Sequence, residues 1–363
     1  MTDSDYMRMA LELAEKGRGL TSPNPMVGAV AVRGGQVVGT GYHPGPGHPH
    51  AEVFALEGLE AGLRDVTLYT TLEPCSFVGR TPACVDLILD RGVGRVVCAM
   101  EDPDPRVAGT SVGRLKDAGV KVETGVLLDA AEQLNEAYVK HRLTGLPFVT
   151  LKLAMTADGY LATASGDSRW ITGEPARIRA HAMRAAADAV MVGLGTVLAD
   201  DPELTVRHLS GRSPQKIVLD SRLEIAGRPE AKVFQGERVY VACREDADVS
   251  RALKVESAGG TLWRFPGDRP SLRGVLRQAA EQGFLNVLIE GGGSVAGSAM
   301  AEDVVDRLAL FVAPKILGGG VRAVEGMRLD HVADAVPLED VVVEPVGEDI
   351  LYTARVGERS RGG

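Results

Sequence analysis

Apolar residues follow two different periods along the first part of the chain. They recur at helical spacing over residues 5–17, and then alternate with polar residues over 27–32 and 36–41, two stretches joined by Gly34 and Gly35. This pattern predicts a helix followed by a β-hairpin. The next predicted elements are a helix at 51–62, a strand at 66–70, helix 83–91, strand 96–100, helix 111–118, strand 120–123 and helix 129–143. Strands that alternate with helices are typical of an α/β layer.

Thr144, Gly145 and Pro147 interrupt this pattern, and a second α/β run follows. It begins with a strand at 148–154 and continues with helix 176–187, strands 189–192, 216–219 and 239–242, helix 271–282, strand 285–289, and strands 308–312 and 350–354. The tail from residue 355 is expected to fray. We therefore expect two domains, 1–146 and 147–363.

Length, net charge and cysteine number argue against several classes of protein. A chain of 363 residues with 45% apolar residues is long enough for two domains, and its net charge of −9 argues against a surface that tracks nucleic acid. No apolar run reaches the roughly 20 residues that span a bilayer, so we expect a cytoplasmic protein. Four cysteines are too few for a disulfide scaffold, and cysteines near histidine are better interpreted as metal ligands.

Two short motifs carry the metal chemistry. The stretch HPHAEVFAL at 48–56 contains His50 and Glu52, and LEPCSFVGRTPAC at 72–84 contains Cys75 and Cys84. Together they match the zinc nucleobase-deaminase signature, in which a histidine and two cysteines hold the ion. A catalytic zinc site fills three positions with protein ligands and leaves the fourth for water. His50, Cys75 and Cys84 supply those three.

Glu52 is then the expected proton shuttle, which takes a proton from water and passes it to departing ammonia. Since Pro49 stops regular structure just before them, His50 and Glu52 can both reach one site at an irregular first turn. The alternatives are an ordinary capping pair and small buried cysteines. His43 and His48 are competing ligands, although neither has a glutamate two residues on, and the other two cysteines fit core positions.

Further stretches of the first half resemble one family closely. These are SPNPMVGAV from residue 22, GYHPGPGHPHAE from residue 41, and the gap of eight residues between Cys75 and Cys84, where the usual deaminase signature has two. In all of them the chain resembles the bifunctional riboflavin-biosynthesis deaminase/reductases. The resemblance implies a cytidine-deaminase-like three-layer α/β domain, in which Asn24 and His43 contact the pyrimidine region and Arg80 and Thr81 the phosphate side.

The second half resembles the reductase domain of the same family, whose fold is similar to dihydrofolate reductase. The matching stretches are LKLAMTADGY from residue 151, SGDSRWITG from 165, DAVMVGLGTVLADDPELTVR from 188, LDSRL from 219 and IEGGGSVAGS from 289. Glycines between a strand and a helix allow backbone amides to approach a pyrophosphate. The resemblance implies an NADPH site made by Ala154, Trp170, Thr196, Asp200, Ser221, Gly292, Gly293, Ser294, Val295, Ala296, Gly297 and Ser298.

The same resemblance implies residues for the ribosyl phosphate substrate. These are Ser168, Arg184, Leu204, Arg207 and Glu290, and two arginines suit a phosphate because their forked donors match its oxygens. Reduction also requires a proton from an acid or from water. Lys152, Asp200 and Glu290 are candidates for positioning and proton delivery, and the sequence does not rank them.

The sequence thus predicts an enzyme with one zinc ion per chain and NADPH, which deaminates 2,5-diamino-6-(5-phosphoribosylamino)pyrimidin-4(3H)-one and then reduces the ribosyl group of the product to ribityl. The resemblance suggests a homodimer or homotetramer. One alternative is a zinc deaminase whose second domain only binds nucleotide or holds a dimer together. Another is a nucleic-acid editing deaminase, and a third is a protein in which Phe77, where relatives often carry histidine, has damaged the deaminase pocket.

Overall fold

The computed structural model describes residues 1–77, 82–105 and 107–357, and the chain divides into two compact units. The first comprises Met1–Gly145 and the second Leu146–Gly363. None of the helices in the described ranges is long and apolar enough to cross a bilayer.

The first unit is built on a mixed sheet whose strand order is β2-β1-β3-β4-β5. Strand β1 runs antiparallel to both of its neighbours, whereas β3, β4 and β5 are parallel. Its elements are α1 Asp3–Glu15, β1 Gly28–Arg33, β2 Gln36–Tyr42, α2 Ala51–Leu56, β3 Val66–Thr70, α3 Cys84–Arg91, β4 Arg95–Cys98, α4 Thr110–Asp117, β5 Lys121–Thr124, α5 Leu128–Leu134 and α6 Glu136–Thr144.

Two predicted helices of this unit differ from the structure. Helix α2 ends at Leu56 rather than at 62, because Glu57 is extended and Gly58 has a φ of 74°. The single helix predicted at 129–143 is two helices, since the backbone of Asn135 leaves helical geometry at φ −104° and ψ 21°. The periodicity predicted one continuous helix because the apolar face resumes after the break.

The second unit contains a larger sheet in the order β11-β10-β9-β8-β12-β6-β13-β16-β15. It is parallel from β11 to β13 and antiparallel at β16 and β15. Its elements are β6 Phe148–Thr156, β7 Tyr160–Ala162, α7 Glu174–Ala186, β8 Ala189–Gly193, α8 Leu194–Asp200, β9 Gln215–Leu219, β10 Val239–Arg244, α9 Val249–Ser257, β11 Gly260–Phe265, α10 Leu272–Glu281, β12 Asn286–Ile289, α11 Gly293–Ala301, β13 Arg307–Ala313, β14 Val321–Arg322, β15 Leu338–Val346 and β16 Asp349–Val356.

Several of these elements were not predicted, for identifiable reasons. Helix α8 follows β8 without an intervening loop, so the apolar pattern gives no boundary between them. Strand β15 is the edge of the sheet and most of its residues are exposed, so it lacks the alternation that marks a half-buried strand. Strands β7 and β14 are only three and two residues long, and they pair with each other. Helix α9 and strand β11 were also missed.

The central parallel strands carry the core of this unit. Strands β8 and β12 are apolar along their buried lengths, as expected for strands covered on both faces. Strand β12 leads through Glu290 and the glycine cluster into α11, where the chain of residues 322–325 packs directly on the helix. A Cβ on Gly293 would lie 2.1 Å from the Arg322 carbonyl oxygen, and one on Gly297 would lie 1.6 Å from that of Glu325. These two glycines are therefore required by packing.

We predict that Gly297→Ala destabilises the second unit by about 1–3 kcal/mol, because the added methyl group overlaps a main-chain carbonyl that must then move. The matched control is Gly227→Ala in the same unit, where a Cβ meets nothing within 4 Å. Urea unfolding of both variants measures the difference. Equal free energies of unfolding for the two variants would show that segment 322–325 moves aside without loss of stability.

Candidate active sites

The first candidate site gathers three metal-binding side chains from three segments. His50 is the residue before α2 and has an extended backbone, Cys75 follows β3, and Cys84 is the first residue of α3. His50 Nδ1 lies 3.2 Å from Cys84 Sγ and 3.5 Å from Cys75 Sγ, and all three ligand atoms lie within 4.8 Å of one another. The irregular first turn expected at His50 is thus present.

This geometry fits a tetrahedral zinc ion. Zn–S bonds of roughly 2.3 Å and Zn–N bonds of roughly 2.0 Å at tetrahedral angles place ligand atoms about 3.5–3.8 Å apart. The measured separations from His50 are close to that value. One nitrogen and two sulfurs are also the ligand types that zinc prefers, and three protein ligands leave one position open.

The electrostatics around these ligands favour a cation. The Cys84 thiol donates to Cys75, which lowers the pKa of Cys75 to about 4, while the same contact raises the pKa of Cys84. A hydrogen bond with Cys75 also raises the pKa of His50. The two cysteines therefore share one negative charge, and a bound divalent ion stabilises both as thiolates.

Glu52 lies in the first turn of α2 and points at the ligands. Its Oε2 is 3.5 Å from Cys84 Sγ, and its side chain is buried. Burial raises the pKa of Glu52, so this carboxyl group takes up a proton more readily than an exposed glutamate.

Asn24 and His43 form an ordered pair beside the metal ligands. His43 Nδ1 lies 3.2 Å from the Pro49 carbonyl oxygen, which can only accept, so Nδ1 carries the proton. The other ring nitrogen, Nε2, then accepts from the Asn24 amide at 3.0 Å. Burial lowers the pKa of His43, which favours this neutral form.

All of these side chains except that of Cys84 line one cavity of about 330 Å³, together with Phe77, which is 40% exposed. The two other predicted substrate residues, Arg80 and Thr81, lie outside the described residues. Among residues of the described ranges that line the same cavity, sequence reasoning missed several polar ones. They are Glu73, Asp102, Asp104, Tyr138 and Arg142.

Glu73 holds one wall of this cavity in place through hydrogen bonds. Its buried carboxylate accepts hydrogen bonds from the backbone amides of Asp102, Gly109, Ser111 and Val112, at 2.9–3.3 Å. The last two amides belong to the N-terminal turn of α4, where a carboxylate is favoured by the unsatisfied N–H groups. The sequence signal was the position of Glu73, two residues before a metal ligand.

Asp102 and Asp104 follow β4, at the same edge of the sheet as the Cys75 loop. Tyr138 donates to Asp102 at 3.0 Å, and Arg142 Nε lies 3.7 Å from Asp104. Burial raises the pKa of Asp102 to about 6. A signal was available in the sequence, because the carboxyl ends of parallel strands are where such sheets bind ligands.

Asn135 holds the backbone near Asn24 in place. Its side-chain oxygen accepts from the Met26 backbone amide at 2.8 Å, and its side-chain amide donates to the Met26 carbonyl at 2.9 Å. Asn135 is buried and sits at the break between α5 and α6. It thereby fixes the loop that carries Asn24.

The second candidate site is a cavity of about 690 Å³ in the other unit. Many of the predicted cofactor and substrate residues line it: Lys152, Ala154, Ser168, Arg184, Thr196, Asp200, Leu204, Glu290, Gly292, Gly293, Ser294 and Val295. Six predicted residues are not in its lining: Trp170, Arg207, Ser221, Ala296, Gly297 and Ser298. Of these, Trp170 is 64% exposed and stacks with Arg177 at 4.5 Å.

Glu290 is held between two cations. Arg184 makes a two-pronged contact with it at 2.5 and 3.0 Å, and Lys152 Nζ lies 3.5 Å away. Burial alone would raise the pKa of Glu290, but Arg184 and Lys152 outweigh it and lower the pKa to about 2. Glu290 is therefore ionised at neutral pH.

The start of α11 fits a dinucleotide pyrophosphate. Gly292 precedes the helix, no side chain caps its amides, and a Cβ at Gly292 would meet only Thr196 Oγ1 at 3.9 Å. Backbone amides are thus accessible from the cavity, and a helix N-terminus favours negative charge. The cavity volume lies within the range of small-molecule sites, about 300–1,000 Å³.

Comparisons with known proteins identify the family of each half of the chain. The family model of the cytidine and deoxycytidylate deaminase zinc-binding region matches residues 1–100, and that of the RibD C-terminal domain matches residues 147–352. The riboflavin biosynthesis protein RibD of Aquifex aeolicus is 39% identical over 96% of this chain and 97% of its own length. The chain belongs to the RibD family. The Escherichia coli RibD is 38% identical, over 96% of this chain and 98% of that protein.

Solved RibD structures share the fold over the whole chain. Acinetobacter baumannii RibD, form 2, superposes with a TM-score of 0.87 at 36% identity, covering 98% of this chain and 99% of that one. A diaminohydroxyphosphoribosylaminopyrimidine deaminase/5-amino-6-(5-phosphoribosylamino)uracil reductase from Thermotoga maritima has a TM-score of 0.86 at 35% identity, with the same coverage.

The predicted family, fold class and pair of activities are confirmed: as a RibD protein, the chain is a bifunctional deaminase and reductase of riboflavin biosynthesis. It has a zinc-binding deaminase domain and a reductase domain of the kind that uses NADPH. The alternative of a deaminase with an inert second domain is not favoured.

The Glu290 cluster predicts how stability depends on pH. Because the pKa is lowered from 4.5 to about 2, the unfolded chain binds more protons between these values, and the free energy of unfolding falls as pH drops from about 4.5 towards 2. The loss amounts to at most about 3 kcal/mol for this group. Urea unfolding of the RibD chain over this pH range measures it.

Glu290→Gln is expected to reduce the slope, while Glu256→Gln, at an exposed position of α9, should leave it unchanged. Part of the slope persists because the pKa of other carboxylates, such as Asp3, is also lowered. A slope as steep in Glu290→Gln as in the wild type would contradict the prediction.

Proposed function

We propose that this chain hydrolyses the 2-amino group of 2,5-diamino-6-(5-phosphoribosylamino)pyrimidin-4(3H)-one and then reduces 5-amino-6-(5-phosphoribosylamino)uracil with NADPH. The observation that carries the proposal is the cluster of His50, Cys75 and Cys84 beside a buried glutamate. His50 and Cys75 line a cavity with Glu52, and Glu52 Oε2 lies 3.5 Å from Cys84 Sγ. The Thermotoga maritima relative, a diaminohydroxyphosphoribosylaminopyrimidine deaminase and 5-amino-6-(5-phosphoribosylamino)uracil reductase, supports the choice of substrates, because its structure covers 98% of this chain.

In the deaminase, His50, Cys75 and Cys84 would hold the zinc ion. Zinc bound there supplies Lewis acidity, which lowers the pKa of a coordinated water towards neutrality. Glu52 takes up a proton at Oε2 and returns it to the amino nitrogen. Water adds its oxygen to the ring carbon, its second proton ends on the adjacent ring nitrogen, the bond from that carbon to the amino group breaks, and ammonia leaves.

Asn24 and His43 would orient the pyrimidine ring. The hydrogen bond to the Pro49 carbonyl makes His43 Nε2 an acceptor, and this acceptor holds the Asn24 side-chain amide in one orientation at the cavity. Arg80 and Thr81 remain predicted contacts on the phosphate side.

In the reductase, the amides at the start of α11, with Gly292, Gly293 and Ser294, would hold the pyrophosphate of NADPH. Bound NADPH supplies the hydride. We propose the other cavity-lining residues Ala154, Thr196, Asp200 and Val295 as further cofactor contacts. The contacts of Trp170, Ser221, Ala296, Gly297 and Ser298 with NADPH rest on the family resemblance alone.

Proton delivery in the reduction is assigned to Lys152. Glu290 is a poor donor, because its pKa of about 2 leaves it without a proton at neutral pH. Its charge instead pairs with Lys152 and holds Arg184 in place, so both cations stay at the cavity. Asp200 lines the cavity as a second candidate. We propose Ser168 and Leu204, which also line it, and Arg207, which is not in its lining, as contacts of the ribosyl phosphate.

A crossed pair of variants tests the two activities. With the diaminopyrimidine substrate and NADPH, Glu52→Gln should lower ammonia release at least about 100-fold, because proton transfer contributes about 10²–10⁴-fold. Its NADPH oxidation should return when the deaminated intermediate is supplied. Lys152→Met should show the reverse, with normal ammonia release and little NADPH oxidation.

Ammonia release and NADPH absorbance are followed in one vessel, and bound zinc is measured in every variant. NADPH oxidation that stays absent in the wild type when the intermediate is supplied would refute the reductase assignment. No ammonia from zinc-replete wild type would refute the deaminase assignment.

We further propose one zinc ion per chain, a homodimeric or homotetrameric assembly, and a cytoplasmic location. One His–Cys–Cys cluster occurs in the described part of the chain, and none of the four cysteines is in a disulfide, as is usual in a reducing compartment. Native mass spectrometry should show a dimer or tetramer with one zinc per chain. Cys84→Ser should lose the metal mass, and a zinc-loaded monomer would contradict the proposed assembly.

A further inference from the structure

The segment of residues 203–209 borders the reductase cavity in an irregular conformation. Leu204 has a φ of 56° and His208 a φ of 61°, values that non-glycine residues adopt only at a cost of about 1–2 kcal/mol each. Leu204 lines the cavity and is buried. Such backbone persists only where the surroundings hold it in place.

Three contacts hold this segment. Arg184 Nη1 donates to the Thr205 carbonyl at 3.2 Å, and the Val206 amide donates to Ser213 Oγ at 3.0 Å. The Arg207 amide donates to Nδ1 of His181 at 3.1 Å. Only the last of these acts directly on the main chain of Arg207.

His181 is suited to this contact. It is buried on α7, one turn before Arg184, and its ring packs edge-on against His208 with the centroids 4.9 Å apart. Burial, followed by the charges of Arg184, Arg207 and His208, lowers the pKa of His181 to about 4. The ring is neutral at neutral pH, so its Nδ1 keeps the lone pair that accepts from the Arg207 amide.

We propose that His181 is a positioning residue of the reductase, which fixes Arg207 for the phosphate group of the substrate by accepting its backbone N–H. This inference rests on the proposed contact between Arg207 and the phosphate. His181 does not touch substrate in this role; it sets the main chain from which the Arg207 side chain extends. In the structure the Arg207 side chain forms a solvent-exposed ion pair with Glu203, in which Nη1 lies 2.7 Å from Oε2. A phosphate can replace such an exposed pair at little cost.

Two substitutions separate the acceptor from the ring. His181→Asn keeps an acceptor near the position of Nδ1 but removes most of the ring, whereas His181→Phe keeps a ring without an acceptor. The measured quantity is the ratio of reductase kcat/KM for 5-amino-6-(5-phosphoribosylamino)uracil to that for its dephosphorylated form. KM for NADPH and the deaminase rate are recorded for each variant as controls of folding.

His181→Phe is expected to lower this ratio about tenfold, through KM for the phosphorylated substrate, while His181→Asn stays within about threefold of the wild type. His181→Leu, which removes the acceptor at smaller volume, replaces His181→Phe if that variant does not fold. If the ratio falls in His181→Asn but not in His181→Phe, or if it falls in both variants, ring packing is responsible and the proposal is overturned. No loss in either variant overturns it as well.

Arg207→Ala separates the phosphate contact of Arg207 from the positioning role of His181. If it leaves the ratio unchanged, the proposed phosphate contact of Arg207 is wrong, whatever the His181 variants show. If it lowers the ratio but His181→Phe does not, the phosphate contact stands and only the positioning role of His181 fails.

Discussion

The negative charge of a buried carboxylate needs partners that replace its contacts with water. Each of the two sites of this chain is organised around such a carboxylate and its partners. Glu73 is compensated by four backbone amides, and Glu290 by an arginine and a lysine. Glu73 and Glu290 each hold part of the wall of their own cavity in place. Glu52 has a raised pKa because burial outweighs its favourable contacts, and it is the one we assign to carry protons.

The two kinds of compensation have different consequences. Because the partners of Glu73 are main-chain groups, its charge orders the backbone that leads into α4 and joins it to the loop of the metal ligands. Because the partners of Glu290 are side chains, its charge orders the cations that face the substrate. The hydrogen bonds to Glu73 shape the deaminase cavity, and the ion pairs of Glu290 set the electrostatics of the reductase cavity.

The parts of both sites that could be predicted are close together in the sequence or belong to one motif. His50 and Glu52 share a turn, and the glycines before α11 follow directly from a buried strand. The parts that could not be predicted depend on distant partners. Asn135 is a polar residue inside a helical pattern, and its role exists only because Met26 lies against it in the fold. Likewise, the periodicity around Gly297 cannot show that the Glu325 carbonyl occupies the space of a side chain.

The contact between Asn135 and Met26 joins residues 109 positions apart. A fragment that ends near residue 100, where the match to the zinc-binding region stops, would contain all three metal ligands but would leave the Met26 peptide group without its partner. The stretch that supplies the metal ligands is therefore shorter than the stretch that holds the substrate loop in place. A graft of this activity onto another scaffold must carry α5 and α6 along with the motif.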